Sequence, residues 1–122
     1  MPVRDIEGVR VMVLDEAGPA LLPGRALSDH LGDMLSEGAE WSLIPLARLP
    51  EGFFTLANGL AGEVLQKLVT YRRRVAIVGD VSEYTARSEP LAALVRESNR
   101  GDQVWFVPDT AAFEAKLTSR RD

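Results

Sequence analysis

Cysteine is absent from the chain of 122 residues, and histidine occurs only once, as His30. Without cysteine the protein can form no disulfide bond, no zinc–thiolate site and no thiol nucleophile. A single histidine supports neither a histidine-rich metal site nor a serine–histidine–aspartate triad. We therefore predict no bound cofactor and no metal, and we place His30 on the flank of a helix, at the boundary of the core.

A basic excess and a long apolar segment are missing as well. The net charge is −4, whereas proteins that bind nucleic acids usually carry a basic surplus, because contacts to phosphate supply much of their affinity. No apolar run approaches the ~20 residues of a transmembrane helix, and residues 1–10 lack the apolar segment of a signal peptide. The sequence predicts a cytoplasmic protein that binds neither nucleic acid nor membranes.

The chain contains several short apolar runs that predict β-strands. Residues 3–14 alternate in character on both sides of Glu7-Gly8, which predicts an antiparallel hairpin. Three further runs predict buried strands, at 41–46, 75–80 and 103–108. The first strand is expected at an edge of the sheet, where copies of the chain can pair into a homo-oligomer.

Segments with apolar residues at helical spacing separate these strands. They predict helices from about residue 25 to Gly38, from Gly59 to Tyr71, from Ser88 to about Gly101, and from Asp109 or Thr110 onward. Residues 47–58 and 81–89 are predicted to be connections, the first with room for one helical turn. The order β-β-α-β-α-β-α-β-α predicts one α/β domain over residues 1–122. Its mixed sheet should have about five strands, mostly parallel apart from the hairpin, and about four helices should pack around it.

Four short motifs resemble a bacterial family, domain of unknown function 4180. The motifs are Gly59-Leu60-Ala61-Gly62-Glu63 at a helix start, Leu65-Gln66-Lys67 just after it, Gly79-Asp80 at a strand end, and Glu97-Ser98-Asn99-Arg100-Gly101 before the last strand. The resemblance covers roughly residues 53–108. It implies no particular activity, because the family has none that can be carried over.

The order of elements also resembles the STAS domain (sulfate transporter and anti-sigma-factor antagonist), which has an opening hairpin and a mixed sheet. In phosphorylatable antagonists a serine or threonine at a helix start takes a phosphate and switches partner binding. Asn58-Gly59 lies where the corresponding serine–glycine pair would be, and Asn58 carries no hydroxyl. The resemblance therefore implies a regulatory binding module without the phosphorylation switch.

We expect the binding surface to lie around this helix start and the neighbouring strand end. Exposed aromatic side chains there favour a protein partner, while free amides at a helix start favour a small anion. The candidate contact residues are Phe54, Thr55, Asn58, Gly59, Gly62, Glu63, Asp80, Ser82 and Tyr84. Close packing of the helix is the favoured interpretation of Gly59 and Gly62, with Asn58 as the helix N-cap.

The alternative is a small acid–base or metal-dependent enzyme that uses Glu63, Asp80 or Asp15. Both aspartates follow apolar strands, and carboxylates at the carboxyl ends of parallel strands can hold Mg²⁺. Capping and turn formation explain the same residues, and no matched set of nucleophile, base and oxyanion donors is visible. We therefore favour a module without catalysis. The run Arg72–Arg74 can contact phosphate groups, but we interpret it as the solvated end of a helix.

Overall fold

The computed structural model describes residues 3–121, so Met1, Pro2 and Asp122, the ends of the predicted domain 1–122, lie outside the described residues. The strands are β1 Val3–Ile6, β2 Val9–Val13, β3 Trp41–Pro45, β4 Arg74–Val78 and β5 Val104–Val107. The helices are α1 Arg25–Glu37, α2 Leu60–Thr70, α3 Ser82–Arg87, α4 Glu89–Arg100 and α5 Thr110–Arg121. Two short 3₁₀ turns, Leu46–Arg48 and Leu56–Asn58, lie between β3 and α2. Within residues 3–121, no helix is long and apolar enough to cross a membrane.

The sheet confirms the predicted fold class. Its strand order is β1-β2-β3-β4-β5. The hairpin strands β1 and β2 are antiparallel and turn at Glu7-Gly8, with Ile6 paired to Val9, and the three later strand pairs are parallel. The parallel strands therefore all end at the same edge of the sheet, and this edge is where α/β proteins usually bind their ligands.

The segment 81–89, predicted to be a loop, contains the helix α3. No residue of α3 is buried, so no apolar stripe marks it in the sequence. Polar contacts hold it instead: the carboxylate of Asp80 accepts the N–H of Ser82 at 2.9 Å, and the hydroxyl of Thr85 donates to the carbonyl of Ser82 at 3.2 Å. Side chains that bond to nearby backbone in this way are common at helix starts, and they escape a search for hydrophobic periodicity.

Both faces of the sheet are covered. On one face, α1 and α2 bury an aliphatic layer that includes Leu27, Leu68 and Ile77. On the other face, α5 packs over the two tryptophans, with the Phe113 ring 5.2 Å from that of Trp41. Because aromatic side chains bury a large apolar area each, a single helix is enough to cover this second face.

His30 lies inside the core and not at its boundary, where we predicted it. It is only 5% exposed, and its Nε2 atom lies 2.8 Å from Oγ of Ser42, which is fully buried in β3. Burial lowers the pKa of His30 from 6.5 to about 4; the nearby Asp33 opposes this change and Arg48 adds to it. A neutral His30 and the Ser42 hydroxyl thus satisfy each other between α1 and β3.

The outer edge of β5 is occupied by a side chain of α4. The amide of Asn99 donates to the carbonyl of Phe106 at 3.2 Å and accepts the N–H of Phe106 at 2.7 Å. The backbone bonds from β4 go to residues other than Phe106: the N–H groups of Val75 and Gly79 donate to the carbonyls of Gln103 and Val107. Asn99 therefore satisfies peptide groups of β5 that no strand pairs.

Candidate functional site

A groove of about 500 Å³ opens where the parallel strands β3 and β4 end. One wall is the segment that follows β3, and the other is α3 with the residue after it. We call this cavity the Phe54 groove, and its lining residues are Leu46, Leu49, Pro50, Glu51, Gly52, Phe53, Phe54, Thr55, Tyr84, Arg87 and Ser88. Its position outside the carboxyl ends of parallel strands makes it the candidate site.

Three aromatic rings form a continuous group in this groove. Phe53 is 2% exposed and belongs to the core, and the ring of Phe54 meets it edge-on at 5.3 Å. Tyr84 of α3 stacks on Phe54 with the ring centroids 4.4 Å apart, yet Tyr84 remains 40% exposed. The stack joins the two walls while it leaves aromatic surface open to a partner, as the anchor residues of binding sites do.

The groove continues past the aromatic stack. A second cavity of about 590 Å³ is lined by Leu56, Ala57 and Pro90 together with Phe54, Thr55 and Ser88, the three residues that it shares with the first cavity. The two cavities together form one elongated groove. The part lined by Leu56, Ala57 and Pro90 is mainly apolar.

Polar groups line the side of the groove formed by α3 and α4. Within the described residues no carboxylate pairs with the guanidinium of Arg87. The Oγ atom of Ser88 accepts the N–H of Leu91 at 3.2 Å and caps α4, and Ser88 lines both cavities. The sequence pattern placed Ser88 at the start of a helix, but neither Arg87 nor Ser88 was predicted as a site residue, because no pattern links them to Phe54.

Gly79, at the end of β4, shapes the floor of the groove. Its backbone has a φ of 147°, and a Cβ atom at this position would lie 2.5 Å from Cγ of Leu46, which lines the groove. Any other residue would displace Leu46 or the loop that carries it. The tight packing that we expected at Gly59 and Gly62 is found at Gly79 instead, for which we made no such prediction.

The glycines at the start of α2 do not pack closely, so that interpretation is wrong. A Cβ atom at Gly59 or Gly62 would meet nothing within 4 Å. Gly59 has a left-handed backbone with a φ of 76° and itself occupies the N-cap position that we assigned to Asn58. Asn58 instead accepts the N–H of Leu60 at 2.9 Å and donates to the carbonyl of Gly52 at 3.0 Å. It thereby ties the groove wall to the start of α2.

The acidic candidates do not line the groove. Glu63, Asp80 and Asp15 are all exposed, and hydrogen bonds from Ser82 lower the pKa of the Asp80 carboxyl. Among residues 3–121, no three histidine, aspartate or glutamate side chains are grouped so that they could hold a metal ion.

The structure brings some of the predicted contact residues together and leaves others apart. Phe54, Thr55 and Tyr84 line the groove. Asn58 supports its wall through the bond to Gly52. The other five, which are Gly59, Gly62, Glu63, Asp80 and Ser82, are exposed but lie outside its lining.

A comparison with protein families extends the resemblance seen in the motifs. The domain of unknown function DUF4180 matches residues 6–117, from the end of β1 to the buried part of α5. No curated protein and no solved structure matches the chain. Because the family match covers nearly the whole sheet and its helices, the chain belongs to the DUF4180 family.

Proposed function

We propose that the protein is a non-catalytic, STAS-like regulatory module of the bacterial cytoplasm, and that it binds a partner protein in the Phe54 groove. The stack of Phe54 and Tyr84 carries this proposal. Large aromatic side chains are costly to leave in water and are enriched at the centres of protein interfaces. The alternative, an acid–base or metal-dependent enzyme, rests on Glu63, Asp80 and Asp15, none of which lines the groove.

The shape of the groove supports an extended protein segment as the occupant. Its two cavities of about 500 and 590 Å³ share Phe54, Thr55 and Ser88, and Tyr84 lines the first of them. A compact ligand would fill only one of them. An extended chain can place one side chain against Leu46 and Leu49 and a later one against Leu56 and Pro90.

The groove is lined by one acidic side chain, Glu51, and one basic side chain, Arg87, and the basic one indicates a charge that a partner can carry opposite it. Arg87 faces the groove without a carboxylate partner among the described residues, and guanidinium groups bind carboxylates through paired hydrogen bonds. We therefore expect a segment with an apolar or aromatic anchor followed by an acidic residue that reaches Arg87.

Selection of short peptides from a random display library on the immobilised full chain tests this expectation. Enriched peptides should carry the apolar anchor and the acidic residue. In fluorescence polarisation with a synthetic enriched peptide, Tyr84→Ala should weaken binding by about 30-fold or more, because an aromatic anchor at an interface contributes about 2 kcal/mol or more.

Tyr71→Ala is the matched control. Tyr71 is 49% exposed at the end of α2, outside the groove, so its loss should leave peptide affinity unchanged. The proposal fails if no peptide family is enriched, or if Tyr71→Ala weakens binding as much as Tyr84→Ala does.

A further inference from the structure

A small basic cavity lies at the opposite end of β4 from the Phe54 groove. It has a volume of about 270 Å³ and is lined by Val69, Arg72, Arg73, Arg74 and Gln103. The three arginines were interpreted as a solvated helix end. The structure shows that they share one concave surface with the amide of Gln103, and we call this surface the arginine cavity.

Most of the positive charge in the arginine cavity is not neutralised by the described residues. Arg74 forms an ion pair with Glu40. Arg73 donates to the carbonyls of Ala39, at 3.0 Å, and Tyr71, at 3.2 Å, and these neutral acceptors orient its guanidinium without cancelling its charge. Within residues 3–121, neither Arg72 nor Arg73 has a carboxylate partner. Two uncompensated cations thus lie together on a chain of net charge −4.

The backbone at Arg72 is a second, independent observation. Its φ of 59° is left-handed, and it follows the end of α2, where the N–H of Arg73 donates to the carbonyl of Leu68 at 2.9 Å. Glycine is the usual residue at this position of a helix end, because it adopts the left-handed conformation without strain. An arginine here is less favourable for folding than glycine, and strained residues of this kind are concentrated at functional sites.

We propose that the arginine cavity binds a compact oxyanion, the phosphate group of a small phosphate monoester or of free phosphate. The guanidinium groups of Arg72 and Arg73 can donate paired N–H groups to phosphate oxygens, and the Gln103 amide can donate a further hydrogen bond. This site is distinct from the Phe54 groove and does not depend on the function proposed for it.

The surroundings of the cavity favour a compact anion over a long polyanion. On the side of Gln103, the neighbouring surface is lined by Glu97 and Asp102. A nucleic acid laid across the arginine cavity would bring its next phosphates close to these carboxylates, whereas a single phosphate group avoids them.

Isothermal titration calorimetry of the full chain tests the proposal, with inorganic phosphate and glycerol 2-phosphate as probes at constant ionic strength. The wild type should bind at least one probe saturably. Arg72→Gln should weaken this binding by about tenfold or more, since it removes a charge-assisted contact. Arg72→Gly should weaken it equally and yet melt at a higher temperature than the wild type, because glycine relieves the backbone strain.

Arg25→Gln is the control, since the Arg25 side chain is 95% exposed on α1 and remote in sequence from the cavity. It should bind the probes like the wild type. Equal affinity for both probes identifies phosphate itself as the recognised group, and tighter binding of the ester assigns part of the cavity to the organic group; both results support the proposal. Three results would overturn it: no saturable binding of either probe, an equal loss in Arg25→Gln, or tighter binding of a short single-stranded oligonucleotide than of both probes.

Discussion

Acid should destabilise the protein in a pH range set by His30. In the folded state this side chain is 5% exposed and has a pKa lowered by burial to about 4. In the unfolded chain its pKa returns to the ordinary value of 6.5. Between these two values the unfolded state binds a proton that the folded state does not, so the free energy of unfolding falls as the pH decreases.

The size of the effect follows from the difference between the two pKa values. One pKa unit corresponds to about 1.36 kcal/mol, so the change from 6.5 to about 4 gives a loss of about 3 kcal/mol by pH 4. The stabilising contribution of neutral His30 is complete above pH 6.5 and decreases steadily below it. A typical domain has only about 5–15 kcal/mol of stability, so a single histidine removes a large share of it.

Urea unfolding curves across this pH range measure the effect, with the fluorescence of the buried Trp41 and Trp105 as the signal. Carboxylates also titrate near the lower end of the range, so the wild type must be compared with His30→Gln. This variant keeps a polar group beside Ser42 but cannot take up the proton. Its own stability is expected to be lower at neutral pH. The informative quantity is therefore how much more steeply the free energy of unfolding changes with pH in the wild type than in His30→Gln.

His30 is the only histidine of the chain, so its imidazole signals can be followed by NMR without ambiguity. A folded-state titration near pH 6.5 would refute the argument from burial. Parallel stability curves for the wild type and His30→Gln between pH 6.5 and pH 4 would refute it as well.

Two further predictions concern backbone positions. Gly79→Ala should destabilise the protein by about 2 kcal/mol or more, from both backbone strain and the clash with Leu46. In urea unfolding, adding Leu46→Ala to this variant should restore only the part of the lost stability that the clash causes. Asn99→Ala should cost about 1–3 kcal/mol, because it leaves the N–H and carbonyl of Phe106 unpaired. Hydrogen exchange at the Phe106 amide should then accelerate, and an unchanged rate would show that another group takes over these bonds.

The sequence predicted those parts of the fold that depend on local pattern. The alternation around Glu7-Gly8 and the apolar runs were sufficient for the hairpin and the parallel strands. The helix α3 was missed because polar side chains such as Asp80 form it, and no buried face reveals it. His30 was placed at the core boundary because a helical pattern cannot show that Ser42, on strand β3, lies within hydrogen-bond distance of it.

The candidate site was predicted only in part, for a related reason. Phe54 and Tyr84 were predicted as contact residues because they are aromatic and lie near the start of α2 and the end of β4, and they do stack in the groove. Arg87 could not be selected, because only the tertiary packing of α3 brings it to the same cavity. The roles of the glycines could not be separated either, since the sequence gives neither the φ of Gly59 nor the proximity of Leu46 to Gly79.

The bond pattern at Asn99 also limits how copies of this chain can assemble through their sheets. At one edge of the sheet, β5 already has its Phe106 peptide groups bonded to Asn99, whereas at the other edge β1 pairs with β2 alone among the described strands. If copies join strand to strand, we expect them to do so through β1, like against like, and such a two-fold contact would use the free sheet edge of both copies. Head-to-tail assembly into a fibre requires an unpaired edge strand on both sides of the sheet in every copy. Because Asn99 already bonds the Phe106 peptide groups, we expect any pairing of copies through their sheets to involve β1 and to end at a dimer.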